Sequence, residues 1–355
     1  MSETNPEPVA DCEALVAAPR RRVGRPVPAE GVGGFSRTCK GGRLYEIREV
    51  VMGSAFEPGG VIAVGWYDGV HRGHRSALEH LRRVASERGV HTGLVILDDD
   101  RDDRKLTSID QRLALIRQTG LVDTAWVVTA PVAEWSGHAP HFIREVLLHR
   151  TGAGAVLTTT SGLQGPMVQA FGQQLVDLAT VDNVSVVSLE DAQAEWIAMD
   201  QTCSSAEVAA LLDAGDVAGA AVLLGRYHEM HGVVEPGDQR GRTIGFPTAN
   251  VGMPVSFVIP AEAVYAGILT ASDNVARPAA ISLGRRPTFY PDGLTLLEAH
   301  VIDFHGDLYG QAVSVRFVDK IRGQRRFGGP DELATQLGHD VTTARTMLAD
   351  VVSFG

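Results

Sequence analysis

The hydrophobic pattern of this 355-residue chain changes once, near Gly225, and this change constrains the fold more than any other feature of the sequence. Before Gly225, short apolar runs alternate with stretches of helical periodicity. After it, Val and Ile alternate with polar residues, turns are frequent, and helical periodicity returns only beyond Pro330. A chain of this length with two such patterns is expected to form two domains, each with its own core.

The first pattern predicts an α/β domain with a Rossmann-like, parallel sheet. Predicted strands cover residues 61–64, 94–97, 125–128, 155–157 and 184–187, and predicted helices cover residues 76–88, 109–119 and 142–149. Buried strands that are separated by helices favour a parallel sheet covered on both faces. Ligands of such sheets bind at the carboxyl ends of the strands, so we expect the site of this domain there.

The second pattern predicts an antiparallel β-barrel with a terminal helix over residues 331–348. Two short helices, at residues 207–212 and 216–224, precede the barrel. The N-terminal residues contain Pro and Gly and little apolar periodicity, which is typical of a disordered tail. The predicted division is a tail over residues 1–42, an α/β domain over 43–200, a helical linker over 201–226 and a barrel domain over 227–355.

The composition argues against several classes of partner. Lys and Arg number 32 and Asp and Glu number 43, so the net charge is -11 and the chain lacks the cationic surface that nucleic-acid binding requires. No apolar run has the length of a membrane span, and the N-terminus has no apolar signal segment. The cysteines Cys12, Cys39 and Cys203 show no metal-binding spacing. We therefore expect a cytoplasmic protein without nucleic-acid or membrane partners, whose oligomeric state the sequence leaves open.

The run GRTIGFPTAN at residues 241–250 is the strongest local indication of a phosphate site. Gly241 and Gly245 leave space for phosphate oxygens close to the backbone. Thr248 and Asn250 alternate along an extended segment, so their side-chain oxygens project to the same side. Such an oxygen pair suits Mg2+, which arrives with the phosphates of ATP. Taken alone, the run is also compatible with a turn before an edge strand.

Glu298 is the candidate base in the same half of the chain. It lies in the alternating run LEAHV at residues 297–301, which predicts a strand. Phosphoryl transfer to an alcohol needs a cradle for the phosphates, a cation, and a base for the hydroxyl group. A carboxylate on a rigid strand is well placed as that base. Taken alone, Glu298 could equally be a solvated carboxylate on the strand surface.

A second candidate site lies in the first half, at residues 65–74, which read GWYDGVHRGH. The segment follows a predicted strand and opens a predicted helix, whose N-terminus attracts phosphate groups. His71 and His74 are three residues apart with Gly73 between them, so their imidazoles face one ligand. Strand, turn and helix in this order favour a phosphate-binding role over a structural histidine pair.

The second half resembles the riboflavin kinase domain of prokaryotic bifunctional riboflavin kinase/FAD synthetases. The resemblance covers roughly residues 225–350, and its motifs, in order, are GRTIGFPTAN, GRRPTF at 284–289, LEAHVIDF at 297–304, DLYG at 307–310 and IRGQRRF at 321–327. It implies that ATP phosphorylates riboflavin to FMN. In the family, the residue matching Glu298 takes the proton of the ribityl 5′-hydroxyl group, and those matching Thr248 and Asn250 hold Mg2+ and phosphate.

The same resemblance implies further binding residues. The phosphate cradle would comprise Gly241, Arg242 and Gly245. Arg322, Arg325 and Phe327 resemble the flap that covers the isoalloxazine ring, where an arginine can stack on an aromatic plane. We therefore expect riboflavin to lie between this flap and the barrel.

The first half resembles the nucleotidyltransferase domain of the same family, which carries a His-x-Gly-His signature and adenylylates FMN to FAD. The resemblance implies that His71 and His74 stabilise the α-phosphoryl transition state while pyrophosphate leaves. The implied nucleotide- and phosphate-binding residues are Gly65, Asp68, Gly73, Ser204 and Ser205.

Three segments of this half depart from the family pattern. Residues 97–101 (LDDDR) keep only Asp98 of a Phe-Asp-Pro-His-Pro type motif, and residues 157–163 lack the aromatic residues of the matching segment. Residues 204–209 lack the Thr and Arg of a Ser-Ser-Thr-x-x-Arg motif. An Arg–phosphate contact contributes about 1.5–3 kcal/mol, so these losses predict weakened FMN adenylylation.

Three hypotheses follow for the first half. It could be a weak FAD synthetase, a non-catalytic module, or a nucleotidyltransferase with another acceptor or nucleotide, in which Asp98, Asp99 and Asp100 hold a cation. Retention of both histidines argues against complete loss of activity, whereas loss of the aromatic residues argues against FMN as the acceptor. The expected small-molecule partners are riboflavin or FMN and a nucleoside triphosphate, with Mg2+ as the cofactor and ATP as a substrate.

Overall fold

The computed structural model describes residues 36–40, 43–99, 104–130, 143–158, 184–188, 203–237, 241, 244–253, 256–285 and 295–352. The chain forms two compact units. The first draws on Met1–Trp66, Leu81–Arg101 and Val122–Val187, and the second on Tyr67–His80, Asp102–Leu121 and Ser188–Gly355. The segment Tyr67–His80, which carries His71, belongs to the second unit.

The first unit is built on a mixed sheet. Its described strands are β1 Ser36–Lys40, β2 Arg43–Val51, β3 Val61–Gly65, β4 Thr92–Asp99, β5 Thr124–Ala130, β6 Ala155–Thr158 and β7 Ser185–Ser188. Their order across the sheet is β1-β2-β5-β4-β3-β6-β7. Strands β5, β4, β3 and β6 are parallel, which confirms the predicted parallel sheet. All five predicted strands are present, with small differences at their ends.

Two strands at one edge of this sheet were not predicted. β1 and β2 form an antiparallel pair, and β2 pairs with β5 in the same way. β1 lies within residues 1–42, the range that the sequence predicts to be a tail. An edge strand is recruited by main-chain pairing with one neighbour and needs no long apolar run, which explains why periodicity missed it. Residues 1–35 lie outside the described part of the chain.

Three helical segments occupy the positions predicted for the N-terminal half. They are α1 Arg72–Arg88, α2 Ile109–Thr119 and a π-helical segment, Ile143–Arg150. α2 has the predicted bounds because Ser108 and Gln111 form a reciprocal capping box, with bonds of 3.2 Å to Ser108 Oγ and 2.8 Å to Gln111 Oε1. α1 begins at Arg72 and not at Ser76, so the predicted start was one turn late.

The second unit contains the predicted antiparallel barrel. Its strands are β8 His228–Glu235, β9 Ala249–Gly252, β10 Ala263–Thr270, β11 Ala276–Arg285, β12 Thr295–Val301 and β13 Ala312–Gly323. They close in the order β10-β11-β12-β9-β8-β13, and every neighbouring pair is antiparallel. Tyr265 and Phe317 fill the interior, with their rings edge to face at 5.4 Å. The barrel prediction is therefore confirmed.

Three further helices belong to the second unit. They are α3 Ser205–Ala214, α4 Val217–Leu224 and α5 Pro330–Leu348. Ser204 and Asp216 cap the first two through bonds to main-chain N–H groups at 3.1 Å and 2.8 Å, as serine and aspartate at these positions predict. Across the described residues, we find no helix with the length and apolar character that crossing a membrane would require.

Candidate functional site

Thr248, Asn250 and Glu298 are brought together by the register of two barrel strands. β9 and β12 are antiparallel, and Glu298 lies directly opposite Asn250. Residues opposite each other in such a pair have Cβ atoms about 4.5–5.5 Å apart on one face of the sheet. Thr248 precedes β9 and lies two positions from Asn250, so it projects to the same side. All three side chains line one cavity of about 840 Å³.

Asn250 carries an unsatisfied oxygen at this cavity. Its Oδ1 is buried and has no hydrogen-bond partner within the described structure. Gly237 allows this placement, since a Cβ atom there would come within 1.9 Å of Asn250 Nδ2. A buried amide oxygen without a donor is costly unless a ligand completes it. Mg2+ takes oxygen ligands of this kind, so the residues present fit the ion.

A cation at this position would depend on phosphate oxygens for most of its coordination. Among the described residues, no group of three or more His, Cys, Asp or Glu side chains could hold a metal ion. The Thr248 hydroxyl and the Asn250 amide are neutral ligands, so the negative charge must come from the bound substrate. Mg2+ typically keeps one or two protein ligands and completes its octahedron with waters and substrate phosphates. The donor set therefore suits a nucleotide-bound magnesium ion.

Sequence reasoning missed His300, which lines the same cavity. His300 lies two residues after Glu298 on β12 and therefore on the same face of the strand. Its Nδ1–H donates to the Pro247 carbonyl oxygen at 2.8 Å, which fixes the residue just before Thr248. The alternation of LEAHV contained the signal for this placement. Glu262, Ser282 and Gln324 also line the cavity. Ser282 lies on β11, Glu262 just before β10 and Gln324 just after β13, and no local sequence pattern indicates that they meet.

The predicted flavin-binding residues divide into two groups. Arg322 and Phe327 line the cavity, whereas Arg325 is not among its described lining residues. Arg322 is engaged with Asp340 on α5, with Nε to Oδ1 at 2.9 Å and Nη2 to Oδ2 at 2.6 Å. Arg325 lies over the Phe327 ring at 4.7 Å and donates to Glu332 at 2.7 Å. Both arginines are thus held by α5, and stacking on a flavin ring stays a prediction.

His71 and His74 form a stacked pair in the second unit. Their ring centroids are 3.7 Å apart, with the planes 20° from parallel. His71 caps α1, because its Nδ1 accepts from the His74 main-chain N–H at 3.3 Å. We assign the hydrogen of the neutral ring to Nε2 on this basis. Gly73 makes room for the ring, since a Cβ atom there would lie 3.1 Å from His71 Nδ1 and 3.0 Å from Cys203 O.

Burial keeps both imidazoles uncharged near neutral pH. Burial, and then the positive charge of Arg226, lower the pKa of His71 to about 4. Burial is also the largest cause at His74, whose pKa lies well below its ordinary value, with further contributions from His71, Arg112 and Arg226. A neutral pair can donate N–H bonds toward an anionic ligand without first losing or gaining a proton.

Three other residues predicted to bind phosphate are engaged within the protein. The Asp68 carboxylate accepts two main-chain N–H groups near the start of α2, at 2.8 Å and 3.0 Å. Ser204 Oγ caps α3, and Ser205 Oγ donates to the Asp68 carbonyl oxygen at 2.8 Å. These bonds hold the turn before His71 in place. Contact of these groups with a phosphate stays a prediction.

The remaining predicted residues are spread along the chain. Gly65 ends β3 in the first unit, and Asp98 lies on β4. Gly241 lines the cavity of the barrel, and Gly245 has a φ of 85°, a conformation that favours glycine. Arg242, Asp100 and the side chain of Asp99 lie outside the described residues.

Comparisons with known proteins match each half of the chain. A family model described as riboflavin kinase matches residues 224–348, and one described as FAD synthetase matches residues 54–190. The bifunctional riboflavin kinase/FMN adenylyltransferase of Bacillus subtilis is 30% identical over 294 residues, which cover 79% of this chain and 90% of that protein. The Pseudomonas fluorescens protein of the same name is 32% identical over 297 residues, with coverage of 82% and 94%.

The fold is also similar to that of a solved structure. A crystal structure described as a macrolide-efflux protein from Streptococcus pneumoniae matches with a TM-score of 0.68 and 23% identity, covering 82% of this chain and 95% of that chain. At this level of identity the similarity shows the fold alone.

Proposed function

Because the chain belongs to the family of bifunctional riboflavin kinase/FMN adenylyltransferases, we propose that it phosphorylates riboflavin to FMN and adenylylates FMN to FAD. ATP is the donor in both reactions. The observation that carries the kinase function is the pairing of Glu298 with Asn250 across β12 and β9, at a cavity of about 840 Å³. The reaction needs a base for the attacking hydroxyl group close to a ligand of the phosphate-bound cation, and the register of Glu298 and Asn250 supports these two roles.

In the kinase half, Glu298 removes the proton of the terminal ribityl hydroxyl group. The hydroxyl oxygen bonds to the γ-phosphorus while the bond from that phosphorus to the bridging oxygen of ADP breaks. Thr248 and Asn250 would hold Mg2+, which neutralises charge on the phosphates when it is bound. His300 holds the Pro247 carbonyl group and so keeps the segment of the cation ligands in position.

In the transferase half, a phosphate oxygen of FMN attacks the α-phosphorus of ATP, and pyrophosphate leaves. His71 and His74 lie at the start of α1, where the helix N-terminus also favours negative charge. Neutral rings donate N–H bonds to the charge that develops in the transition state. His71 uses its Nε2–H for this purpose, since its Nδ1 already accepts the His74 main-chain N–H.

FMN adenylylation is proposed to be slow compared with FMN formation. Residues 204–209 carry no Thr or Arg for the phosphates, and the Ser204 and Ser205 hydroxyl groups bond within the protein. The stacked histidine pair favours retained nucleotidyl transfer over a non-catalytic module. A transferase with another acceptor or nucleotide is the second candidate, and the missing aromatic residues at 157–163 favour it.

The proposed partners are riboflavin, FMN and a nucleoside triphosphate, with Mg2+ as the cofactor. A net charge of -11 argues against a nucleic-acid partner. The cytoplasm, where ATP is available, is the proposed compartment. The proposed catalytic domains are residues 43–200 and 227–355, and the oligomeric state stays open.

The product profile of the purified chain tests both halves. With riboflavin, ATP and Mg2+, chromatography should show FMN, and unchanged riboflavin would remove the kinase function. FMN and riboflavin are then each tested as the acceptor with each nucleoside triphosphate. FAD formed slowly from FMN and ATP supports a weak FAD synthetase. Pyrophosphate release with another nucleotide or acceptor supports altered specificity. Absence of pyrophosphate in every combination supports a non-catalytic module.

A further inference from the structure

The turn that leads into the histidine pair has an unfavourable backbone conformation. We define the histidine turn as residues 67–71. Within it, Tyr67, Gly69 and Val70 have φ values of 52°, 76° and 40°. Positive φ is rare for residues other than glycine and is strained for a β-branched residue such as Val70. A conformation of this kind persists only where surrounding groups hold it.

Arg226 holds this turn through its main-chain oxygens. Its Nη2 donates to Gly69 O at 2.6 Å, and its Nη1 donates to Val70 O at 3.2 Å. The same Nη1 donates to Leu224 O, at the end of α4, at 3.3 Å. A planar guanidinium group offers several donors in a fixed fork, so one side chain can bridge adjacent carbonyl groups. A lysine ammonium group cannot reproduce that geometry.

Two other main-chain groups of the histidine turn bond to side-chain hydroxyl groups. Thr107 Oγ1 accepts from Gly69 N at 2.9 Å, and Ser205 Oγ donates to Asp68 O. Each of these groups is uncharged. Within the described part of the chain, Arg226 is the charged donor that reaches the main-chain oxygens of Gly69 and Val70. Hydrogen bonds from a charged donor are stronger than neutral ones, particularly where water is excluded.

The charge of Arg226 also acts on the imidazoles. Burial lowers the pKa of Arg226 to about 10, so the guanidinium group stays protonated near neutral pH. After burial, this cation contributes to the low pKa of His71. It is one of several causes of the low pKa of His74, behind burial. Arg226 therefore influences both where the rings lie and whether they carry a proton.

We propose that Arg226 is a positioning residue for nucleotidyl transfer: its guanidinium group fixes the carbonyl groups of Gly69 and Val70, and thereby the orientation of His71 at the start of α1. It acts through the turn and not on the substrate. The proposal rests on the transferase part of the proposed function. Arg226 lies between α4 and β8, so the short connection between these two elements holds the histidine turn.

Two substitutions separate the positive charge of Arg226 from the planar arrangement of its N–H donors. Arg226→Met removes both, and Arg226→Lys keeps the charge. Arg316→Met is the matched control, since Arg316 lines the same cavity of about 1110 Å³ as Arg226 but donates to Thr270 and pairs with Glu229. Each protein is assayed for pyrophosphate release with FMN and ATP, and for FMN formation with riboflavin and ATP. NMR of histidine-labelled protein follows the imidazole titrations and the tautomer of His71.

We expect Arg226→Met to lower kcat for pyrophosphate release at least tenfold, with a smaller change in KM for ATP. The His71 resonance should titrate at a higher pH than in the wild type. Arg226→Lys should keep the wild-type titration yet recover little of kcat, because the fork is missing. FMN formation should persist in both variants, and Arg316→Met should match the wild type in every measurement.

Several outcomes would overturn the positioning role. A wild-type kcat for pyrophosphate release together with an unshifted His71 titration in Arg226→Met would contradict it. An equal loss of kcat in Arg316→Met would contradict it as well. If the wild type releases no pyrophosphate, the transferase function fails, and the NMR measurements decide the positioning role separately. An unchanged His71 tautomer and unchanged amide-exchange protection of the turn in the variants would then contradict it. If Arg226→Met does not fold, Arg226→Lys provides the same kcat and tautomer comparisons.

Discussion

The Arg322 guanidinium group and the Asp340 carboxylate form a two-pronged ion pair that joins β13 to α5 beside the barrel cavity. Asp340 is only 1% exposed, so the hydrogen bonds from Arg322 and Gln336 take the place of water around its carboxylate. Removing one member of a buried pair typically costs about 3–5 kcal/mol, since the other charge is left unpaired. Arg322→Met should therefore lower the free energy of unfolding by about that amount in urea titrations.

A double substitution checks the cause of this loss. Arg322→Met with Asp340→Leu removes both charges and should recover much of the stability, because no unpaired charge is left in the interior. Equal stability of the single and double variants would show that the ion pair does not account for the effect. Exposed Arg325, which pairs with Glu332, provides the comparison, and Arg325→Met should cost about 1 kcal/mol or less.

Glu298→Gln should remove the base of the kinase reaction. Glutamine has nearly the same size as the glutamate opposite Asn250, but its amide group cannot act as a base. The kcat for FMN formation should therefore fall by about 10²–10⁴-fold. Riboflavin binding, followed by quenching of flavin fluorescence, should change little. Asp319→Asn is the control, since Asp319 is an exposed carboxylate on a barrel strand that does not line the 840 Å³ cavity. A Glu298→Gln enzyme with the wild-type rate would remove Glu298 from its role.

Local patterns in the sequence were sufficient to predict most helices and strands, but they predicted few of the contacts between residues that are distant in sequence. α2 was predicted with its observed bounds, and its capping box joins two residues only three positions apart, Ser108 and Gln111. Glu298 and Asn250 were predicted as members of one site through the family resemblance, yet their pairing depends on how β9 and β12 align. That register is a property of the closed barrel, which no local pattern contains.

Residues with two possible uses were harder to interpret from sequence. Asp68 and Ser205 stand in segments that resemble nucleotide-binding motifs. In this structure the Asp68 carboxylate accepts the Leu106 main-chain N–H, and Ser205 Oγ donates to the Asp68 carbonyl oxygen. Arg226 was not predicted at all, because its partners are main-chain carbonyl groups that leave no trace in the residue types. β1 was missed for a related reason, since main-chain pairing alone recruits an edge strand.

Asn250→Ala should weaken the apparent affinity of the kinase site for Mg2+. The substitution removes the Oδ1 atom that is buried without a hydrogen-bond partner. Substituting a residue that only orients a metal ligand lowers metal affinity by about 10–100-fold. Loss of a ligand itself should therefore raise the Mg2+ concentration for half-maximal FMN formation at least about tenfold. The measurement is the rate against Mg2+ concentration at saturating ATP. An unchanged curve would contradict a ligand role for Asn250.

Gly73→Ala should disable the histidine site while leaving the kinase active. The added Cβ atom would lie 3.0 Å from Cys203 O and 3.1 Å from His71 Nδ1, which is tighter than ordinary packing. The His71 ring would have to move, and with it the hydrogen bond to His74 N. We expect nucleotidyl transfer to fall by about 10²-fold, as for a small displacement of a catalytic group, with FMN formation retained. The control is Ser86→Ala, on the same helix as Gly73. Gly89→Ala would not be neutral, because Gly89 has a φ of 66°, which favours glycine.

The stability of the second unit should fall as the pH drops from 7 toward 4. Burial, as the largest cause, lowers the pKa of His71 and of His228 to about 4, from 6.5. Between these values the unfolded chain binds more protons than the folded one, so stability is full above pH 6.5 and is lost on acidification. Each group contributes at most about 3 kcal/mol. Urea titrations between pH 7.5 and 5 measure this slope before most carboxylates titrate. His228→Gln should reduce the slope of stability against pH, whereas substitution of the exposed His231 by Gln should leave it unchanged. A wild-type protein whose stability does not change over this range would contradict the burial of neutral histidines.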